Sequence, residues 1–265
     1  MLLKAYAKVN LVLKVLGKND YNYHNLQMLN AKIDLYDQID VKKNNKKNDL
    51  VKFRGLNQEN IKDDLVLRCI NIIKNYYNID DCFDITITKQ IPIGAGMGGG
   101  SCDVATIVKY LLRRYHIEED LNQLIHLLKD QSADIPYCLT NKIAFVEGIG
   151  EKVSEIFVAI PDECILVNPH ISISTKEVFE KVKNYSKPLT KDSLMKQIAT
   201  KGYSIFNNDL EEAAFLLYPQ LQEIKNNLSK IGHTVMSGSG STMMVFGDDL
   251  ASMYAVSYTH LTLPT

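Results

Sequence analysis

The sequence predicts an α+β fold in two domains. Three observations carry that prediction. Strand-like runs dominate the first third, helical patterns dominate the last, and strict strand–helix alternation is missing. A glycine-rich run, Pro92-Ile93-Gly94-Ala95-Gly96-Met97-Gly98-Gly99-Gly100-Ser101, separates a strand-like segment from a helical one. A second turn, Ser237-Gly238-Ser239-Gly240-Ser241, lies between two strand-like runs.

Taken in order, 2–8 and 11–16 alternate as short strands, and 24–33 and 38–41 follow as two more. The Lys/Asn run 42–48 reads as a solvated loop tip. Asp63 caps a helix whose apolar side holds Leu65, Leu67, Ile70, Ile72 and Ile73. A strand over 83–88 leads into the glycine run. Helices follow over about 101–115 and 119–130, then strands over 143–146 and 152–156. Pro161-Asp162-Glu163 is a turn and marks the boundary between domains 1–160 and 161–265. Beyond it, Cys164–Val167 reads as a buried strand. Helical patterns cover 174–183, 190–199, 209–217 and 219–230, with strands at 234–236 and 243–246. Asp248 and Asp249 can start a helix. The tail, 256–265, reads either as a last strand or as a foreign or truncated end.

Of 265 residues, 46% are hydrophobic and 23% charged, an ordinary globular composition with a formal net charge of −1. Such a balance gives no pull toward nucleic acid or anionic membrane. No apolar run has the length of a membrane span, and the N-terminus lacks a signal-peptide core. The five scattered cysteines form no C-x-x-C pair, which argues against a disulfide framework or zinc site and fits a cytoplasmic protein.

A glycine loop that opens a helix can hold phosphate, because backbone N–H groups wrap an anion and the helix dipole favours it. Gly94-x-Gly96-x-x-Gly99 satisfies the dinucleotide pattern, but no acidic residue ends a second strand downstream. Walker A spacing is nearly present too, yet Gly100 stands where that loop needs lysine. The charge on the phosphates must therefore be met from elsewhere.

Pro92-x-x-x-Gly96-Met97-Gly98-Gly99-Gly100-Ser101 resembles the phosphate motif of the GHMP kinases. Ala7-Lys8-Val9-Asn10-Leu11 and the second glycine turn resemble that family's N- and C-terminal motifs. The resemblance spans roughly residues 2–247. It implies a two-domain fold, a ribosomal-S5-like N-terminal domain with a ferredoxin-like C-terminal α/β sandwich, and it implies ATP with Mg²⁺. Tyr23-His24-Asn25-Leu26-Gln27, Ser132-Ala133-Asp134-Ile135-Pro136 and Glu147-Gly148-Ile149-Gly150-Glu151 are most similar to the branch whose acceptor is CDP-methylerythritol, in non-mevalonate isoprenoid synthesis.

The same resemblance implies roles. Asp134, whose bland alternative is a helix cap ahead of Pro136, takes the proton from the acceptor hydroxyl, and Lys8 pairs with it. Pro92, Gly94, Gly96, Met97, Gly98, Gly99, Gly100, Ser101 and Cys102 form the ATP loop, with Gly238, Ser239 and Gly240 closing over the phosphates. Lys89 matches a position near the ATP nucleoside. Ser101 is the side chain expected near Mg²⁺, whereas Cys102 replaces a serine with a poor Mg²⁺ ligand and reads better as a small buried residue. Asp103 serves the helix start. Tyr23 and Phe179 are expected to sandwich the cytosine, His24 to bond its edge, and Asn10 and Thr175 to contact substrate. The turn before Tyr23 has Asn22 where glycine is usual, and asparagine tolerates left-handed backbone. No metal ligand set is assigned. A monomer or homodimer is expected. The rival readings are a GHMP kinase for mevalonate, phosphomevalonate or homoserine, and a non-catalytic nucleotide or sugar sensor.

Overall fold

The structure, a computed structural model, describes residues 2–55, 65–118, 120–140, 142–247 and 259–262. Two units are built from interleaved segments. The first is Met1–Lys8, Leu35–Ile93 and Gly98–Asn141; the second is Val9–Asp34, Gly94–Met97 and Lys142–Thr265. Two long strands, β1 (Leu2–Lys18) and β2 (His24–Asn44), contribute residues to both. Periodicity breaks each of them in two, at Asn10 and around Asp37. Both side chains are fully buried and hydrogen-bonded, so the strands continue through them.

In the first unit, β2 pairs antiparallel with β4 (Cys82–Lys89), from Gln38 opposite Thr88 to Asn44 opposite Cys82. On the other side of β4 lies β3 (Leu50–Gly55), parallel to it. The intervening α1 (Leu65–Tyr77) makes β3-α1-β4 a crossover unit that periodicity does not reveal. β3 is an edge strand in which Lys52 and Arg54 alternate with Val51 and Phe53 and nothing is buried, so its apolar signal is weak. The Asp63 cap lies outside the described residues. Strict alternation buries Phe83, Ile85 and Ile87 of β4, while α1 and α2 (Gly99–Arg114) add Ile70, Ile73 and Ile107 to this core. The expected second helix is α3 (Leu121–Leu128), capped by the Asp120 carboxylate, which accepts from Asn122 and Gln123 N–H. A single-turn helix, α4 (Ile135–Cys138), packs on α2.

In the second unit, the N-terminal half of β2 pairs antiparallel with β5 (Ala144–Gly148), which pairs with β6 (Lys152–Glu155). β1 lies beside β2 and takes a two-residue strand, β8 (Asn207–Asn208), in parallel on its far edge. A second sheet holds β7 (Glu163–Val167), β9 (His233–Met236), β10 (Met243–Phe246) and β11 (Thr259–Thr262) in the order β11-β7-β10-β9, all antiparallel. Within the tail, Thr259–Thr262 pairs antiparallel with β7, whereas the helix start at Asp248 and Asp249 lies outside the described residues. Helices α5 (Thr175–Glu180), α6 (Lys191–Lys201), α7 (Glu211–Leu217) and α8 (Pro219–Leu228) fall where periodicity puts them. Among the described residues no helix is long and apolar enough to cross a membrane.

Candidate active site

Lys8 ends the first unit's share of β1, and Asp134 immediately precedes α4. Lys8 Nζ lies 3.0 Å from Asp134 Oδ1, with the lysine side chain 4% exposed and the carboxylate 34% exposed. Asp134 occupies the cap position of α4, but its side chain makes no cap hydrogen bond, so the carboxylate is turned to Lys8 instead. Its backbone N–H donates to Ser132 Oγ at 3.4 Å, and Ser132 Oγ in turn is 2.9 Å from Ser101 Oγ.

The glycine loop meets this ion pair at Gly98. Gly98 is left-handed, with φ 63° and ψ 24°, and stands just before α2 with no side chain capping that helix. A Cβ there would lie 3.0 Å from Lys8 Cε and Cγ and 3.4 Å from Asp134 Oδ2. Only glycine allows the backbone to approach so closely in that conformation. The first N–H groups of α2 therefore start beside the Lys8 ammonium, which suits an anion, with the partly exposed Asp134 carboxylate paired to that lysine. Ser101 is buried at the helix start, while among the described residues a Cβ on Gly100 would meet only Leu65 Cδ2, at 3.8 Å. Cys102 is buried, its Sγ 3.3 Å from Cys138 Sγ, so it ties α2 to α4 as a small interior side chain.

Lys89 and Asp103 depart from expectation. Lys89 is buried between two carboxylates, Asp37 and Asp103, with Nζ 2.8 Å from Asp103 Oδ2. Its charge is spent inside the protein and is not presented to a nucleoside. Asp103 does not serve the helix start; it is 1% exposed and belongs to this triad. Asp37 completes it by accepting at Oδ1 from the N–H of Gln90 at 2.6 Å and of Ile91 at 2.9 Å. The triad thus grips the chain where it leaves β4 and where α2 has begun. A Cβ on Gly99 would meet Lys89 Nζ at 3.3 Å, so the loop rests on the triad. Burial drives the Asp103 carboxyl well above its usual value despite Lys89. Burial also pushes Lys89 down, but Asp103 and Asp37 outweigh it and hold the ammonium up.

In the second unit, Gly94–Met97 meets the second glycine turn. A Cβ on Gly96, whose φ is +77°, would lie 2.1 Å from Ser237 O, and Ser237 Oγ donates to Gly96 O at 3.0 Å. Asn10 N–H donates to Ser237 Oγ at 3.3 Å. Asn208 donates from Nδ2 to Met236 O and Gly238 O, each at 2.7 Å, and Ser239 Oγ is 2.8 Å from Thr175 Oγ1. Gly240 packs on Ile173 and Met236. The expected substrate contact of Asn10 gives way to an internal one: its fully buried carboxamide donates to Asn30 Oδ1 at 2.7 Å. Pairing Asn10 with Asn30 satisfies a polar group that would otherwise be costly inside.

His24, not Tyr23, stacks on Phe179, with centroids 5.1 Å apart and planes 30° apart. That spacing leaves no slot for a third ring, so the expected Tyr23–Phe179 sandwich is not formed. Tyr23 is 63% exposed in a turn where Asn22 takes the predicted left-handed backbone, φ 65°. Burial first, and Lys18 second, lower the His24 pKa. His24 Nε2 is buried without a hydrogen-bond partner among the described residues.

Asp37 and Asn208 escape sequence reading. The signal for each was polarity out of place: a carboxylate inside an alternating strand, and an Asn-Asn-Asp run before a helix.

Two family models match the chain. That of the GHMP kinases N terminal domain matches residues 64–142, and that of the GHMP kinases C terminal matches 191–257. The chain is 35% identical to the 4-diphosphocytidyl-2-C-methyl-D-erythritol kinase of Lachnoclostridium phytofermentans, covering 93% of this chain and 88% of that one. It is likewise 35% identical to the enzyme of that name from Clostridium botulinum strain Langeland, over 94% and 92% of the two chains. Among solved structures, a crystal structure of 4-(cytidine 5'-diphospho)-2C-methyl-D-erythritol kinase aligns with a TM-score of 0.80 at 26% identity, covering both chains completely. Methanococcus jannaschii mevalonate kinase, with a TM-score of 0.65 at 16% identity, shares the fold.

Proposed function

Because the chain belongs to the GHMP kinases, in the family of 4-diphosphocytidyl-2-C-methyl-D-erythritol kinases, we propose that it moves the γ-phosphoryl group of ATP to the 2-hydroxyl of CDP-methylerythritol. The observation that carries this reading is the Lys8–Asp134 ion pair packed against Gly98 at the start of α2. In the proposed mechanism the Asp134 carboxylate accepts the hydroxyl proton while the oxygen attacks the γ-phosphorus and ADP leaves. Lys8 orients the carboxylate and offsets charge on the transferring group. Backbone N–H groups from Gly98 to Ser101 hold phosphate oxygens. This division suits phosphoryl transfer, which asks a protein mainly for positioning and charge.

Among the described residues, no group of three His, Cys, Asp or Glu could hold a metal ion. The Ser101 hydroxyl, buried at the start of α2, would be the protein's contribution to holding a Mg²⁺ ion. When bound, Mg²⁺ neutralises charge on the β- and γ-phosphates. The five cysteines are free thiols, as suits a reducing cytoplasm, where we place the reaction.

A panel of CDP-methylerythritol, mevalonate, phosphomevalonate and homoserine tests the reading. CDP-methylerythritol should be phosphorylated with the highest kcat/KM, and a better rate with any other acceptor overturns it. The nucleoside end of the acceptor falls to Tyr23, His24 and Phe179. Since the His24 pKa is lowered, its imidazole is neutral near pH 7 and can pair with a pyrimidine edge. The acceptor KM should therefore be flat from pH 7 to 8 and rise only as pH falls through the lowered His24 value, which lies below the ordinary histidine value of about 6.5. His24→Gln should abolish that acid-side rise. A rise that persists in this variant assigns the titration to another group.

A further inference from the structure

Between α5 and α6 the chain runs irregularly through residues 182–190, yet it is tied to strands at two points. Ser186 N–H donates to Val15 O at 2.8 Å. Gln27, buried on β2, holds Leu189 by both backbone groups: Nε2 donates to Leu189 O and Leu189 N–H donates to Oε1, each at 2.8 Å. The same Nε2 also donates to Glu147 Oε1 at 3.0 Å. An amide side chain that pairs with the N–H and C=O of one residue acts as a strand would, and here it fixes a segment with no regular structure of its own.

Tyr185 stands in the segment held this way. It is 48% exposed, and its ring centroid lies 6.2 Å from that of His24, tilted by 49°. His24 thus packs against Phe179 at 5.1 Å and against Tyr185 at 6.2 Å, both within the range of aromatic pairs, and its buried Nε2 lacks a partner among the described residues. A half-exposed aromatic held in place beside an unsatisfied imidazole nitrogen is a recognition feature, because an ordering cost is met before any ligand arrives. We propose that Tyr185 is a further aromatic of the site for the pyrimidine nucleoside, and that Gln27 is its positioning residue. This rests on the reading that the acceptor carries a cytidine diphosphate.

Two measurements on the full chain separate the two claims. Turnover of CDP-methylerythritol by the wild type tests the activity, and calorimetric binding of cytidine 5'-diphosphate tests the site. Tyr185→Ala should weaken cytidine diphosphate binding and raise the acceptor KM by about tenfold, as the loss of one stacking ring predicts, with the KM for ATP unchanged. Tyr185→Phe should behave as wild type. Gln27→Met, which keeps length and loses the amide, should raise the acceptor KM in the same direction and add nothing to Tyr185→Ala in the double variant. Active wild-type protein with unaltered cytidine diphosphate affinity in Tyr185→Ala overturns the inference and leaves the activity standing. Equal losses for ATP and acceptor overturn it too, since they indicate a structural role. Wild-type protein that neither turns over CDP-methylerythritol nor binds cytidine diphosphate overturns both.

Discussion

Asp134→Asn is expected to lower kcat by about a hundredfold to ten-thousandfold, the range general-base removal usually costs. The carboxamide matches the carboxylate in shape and cannot accept the hydroxyl proton. The surroundings support a loss confined to chemistry. Asp134 makes no side-chain cap bond to α4, so that helix does not depend on the charge, and its backbone tie to Ser132 survives the change. Phosphate binding should also survive, because Gly98 and the start of α2 offer backbone groups that the substitution leaves in place. ATP affinity measured by calorimetry should stay within about threefold of wild type, well under the 1.4 kcal/mol that a tenfold change represents. Asp134→Ala should show the same kcat loss and keep nucleotide binding. Near-wild-type turnover in either variant would remove Asp134 from the mechanism. Lys8→Met gives the complementary result: it should lower kcat and also weaken ATP binding, because Lys8 packs on Gly98 as well as pairing with Asp134.

How far the sequence could be read depended on where polar residues sit. The α+β class, the helices after residue 160 and both glycine turns follow from periodicity and turn chemistry, because each is a local property of the chain. Lys8 and Asp134 were legible only as motif residues, since nothing local places a strand lysine against a carboxylate so far along the chain. Reading failed where a buried polar group imitated a break. Asn10 and Asp37 each divide a strand into two apparent pieces, although Asn30 and Lys89 respectively satisfy them inside. The aromatic site failed differently. Residue types at 23, 24 and 179 were readable, but which two rings stack depends on the turn at Asn22 and on α5. Gln27 was visible inside a motif, yet its hold on Leu189 is a long-range contact with no sequence spacing to reveal it.

Lys89→Met should be the most destabilising single change among the residues considered. Wild-type protein holds one cation between Asp37 and Asp103, all three side chains at most 4% exposed. Methionine fills the space of the lysine stem and leaves two carboxylates facing each other in a site that water does not reach. Breaking a buried ion pair by removing one partner costs about 3–5 kcal/mol, against about 0–1 kcal/mol for an exposed pair. At the usual conversion for chains of this size, the melting temperature falls by about 10 °C. The pH dependence identifies the cause. The Asp103 carboxyl is already raised by burial, and losing Lys89 raises it further. In the window between the ordinary carboxylate value and this raised one, the folded protein holds a proton that the unfolded chain has released. Stability therefore drops as pH rises through that window, and the deficit of the variant relative to wild type should shrink toward acid pH. Adding Asp103→Asn to Lys89→Met should recover part of the lost stability, because it removes one of the two stranded charges. A deficit independent of pH, or a double variant weaker than the single one, would assign the effect to packing. The loop offers a second readout, since Asp37 also holds Gln90 and Ile91 where the chain leaves β4. Below its lowered melting point, Lys89→Met should bind ATP more weakly than wild type, while Asp134→Asn should not.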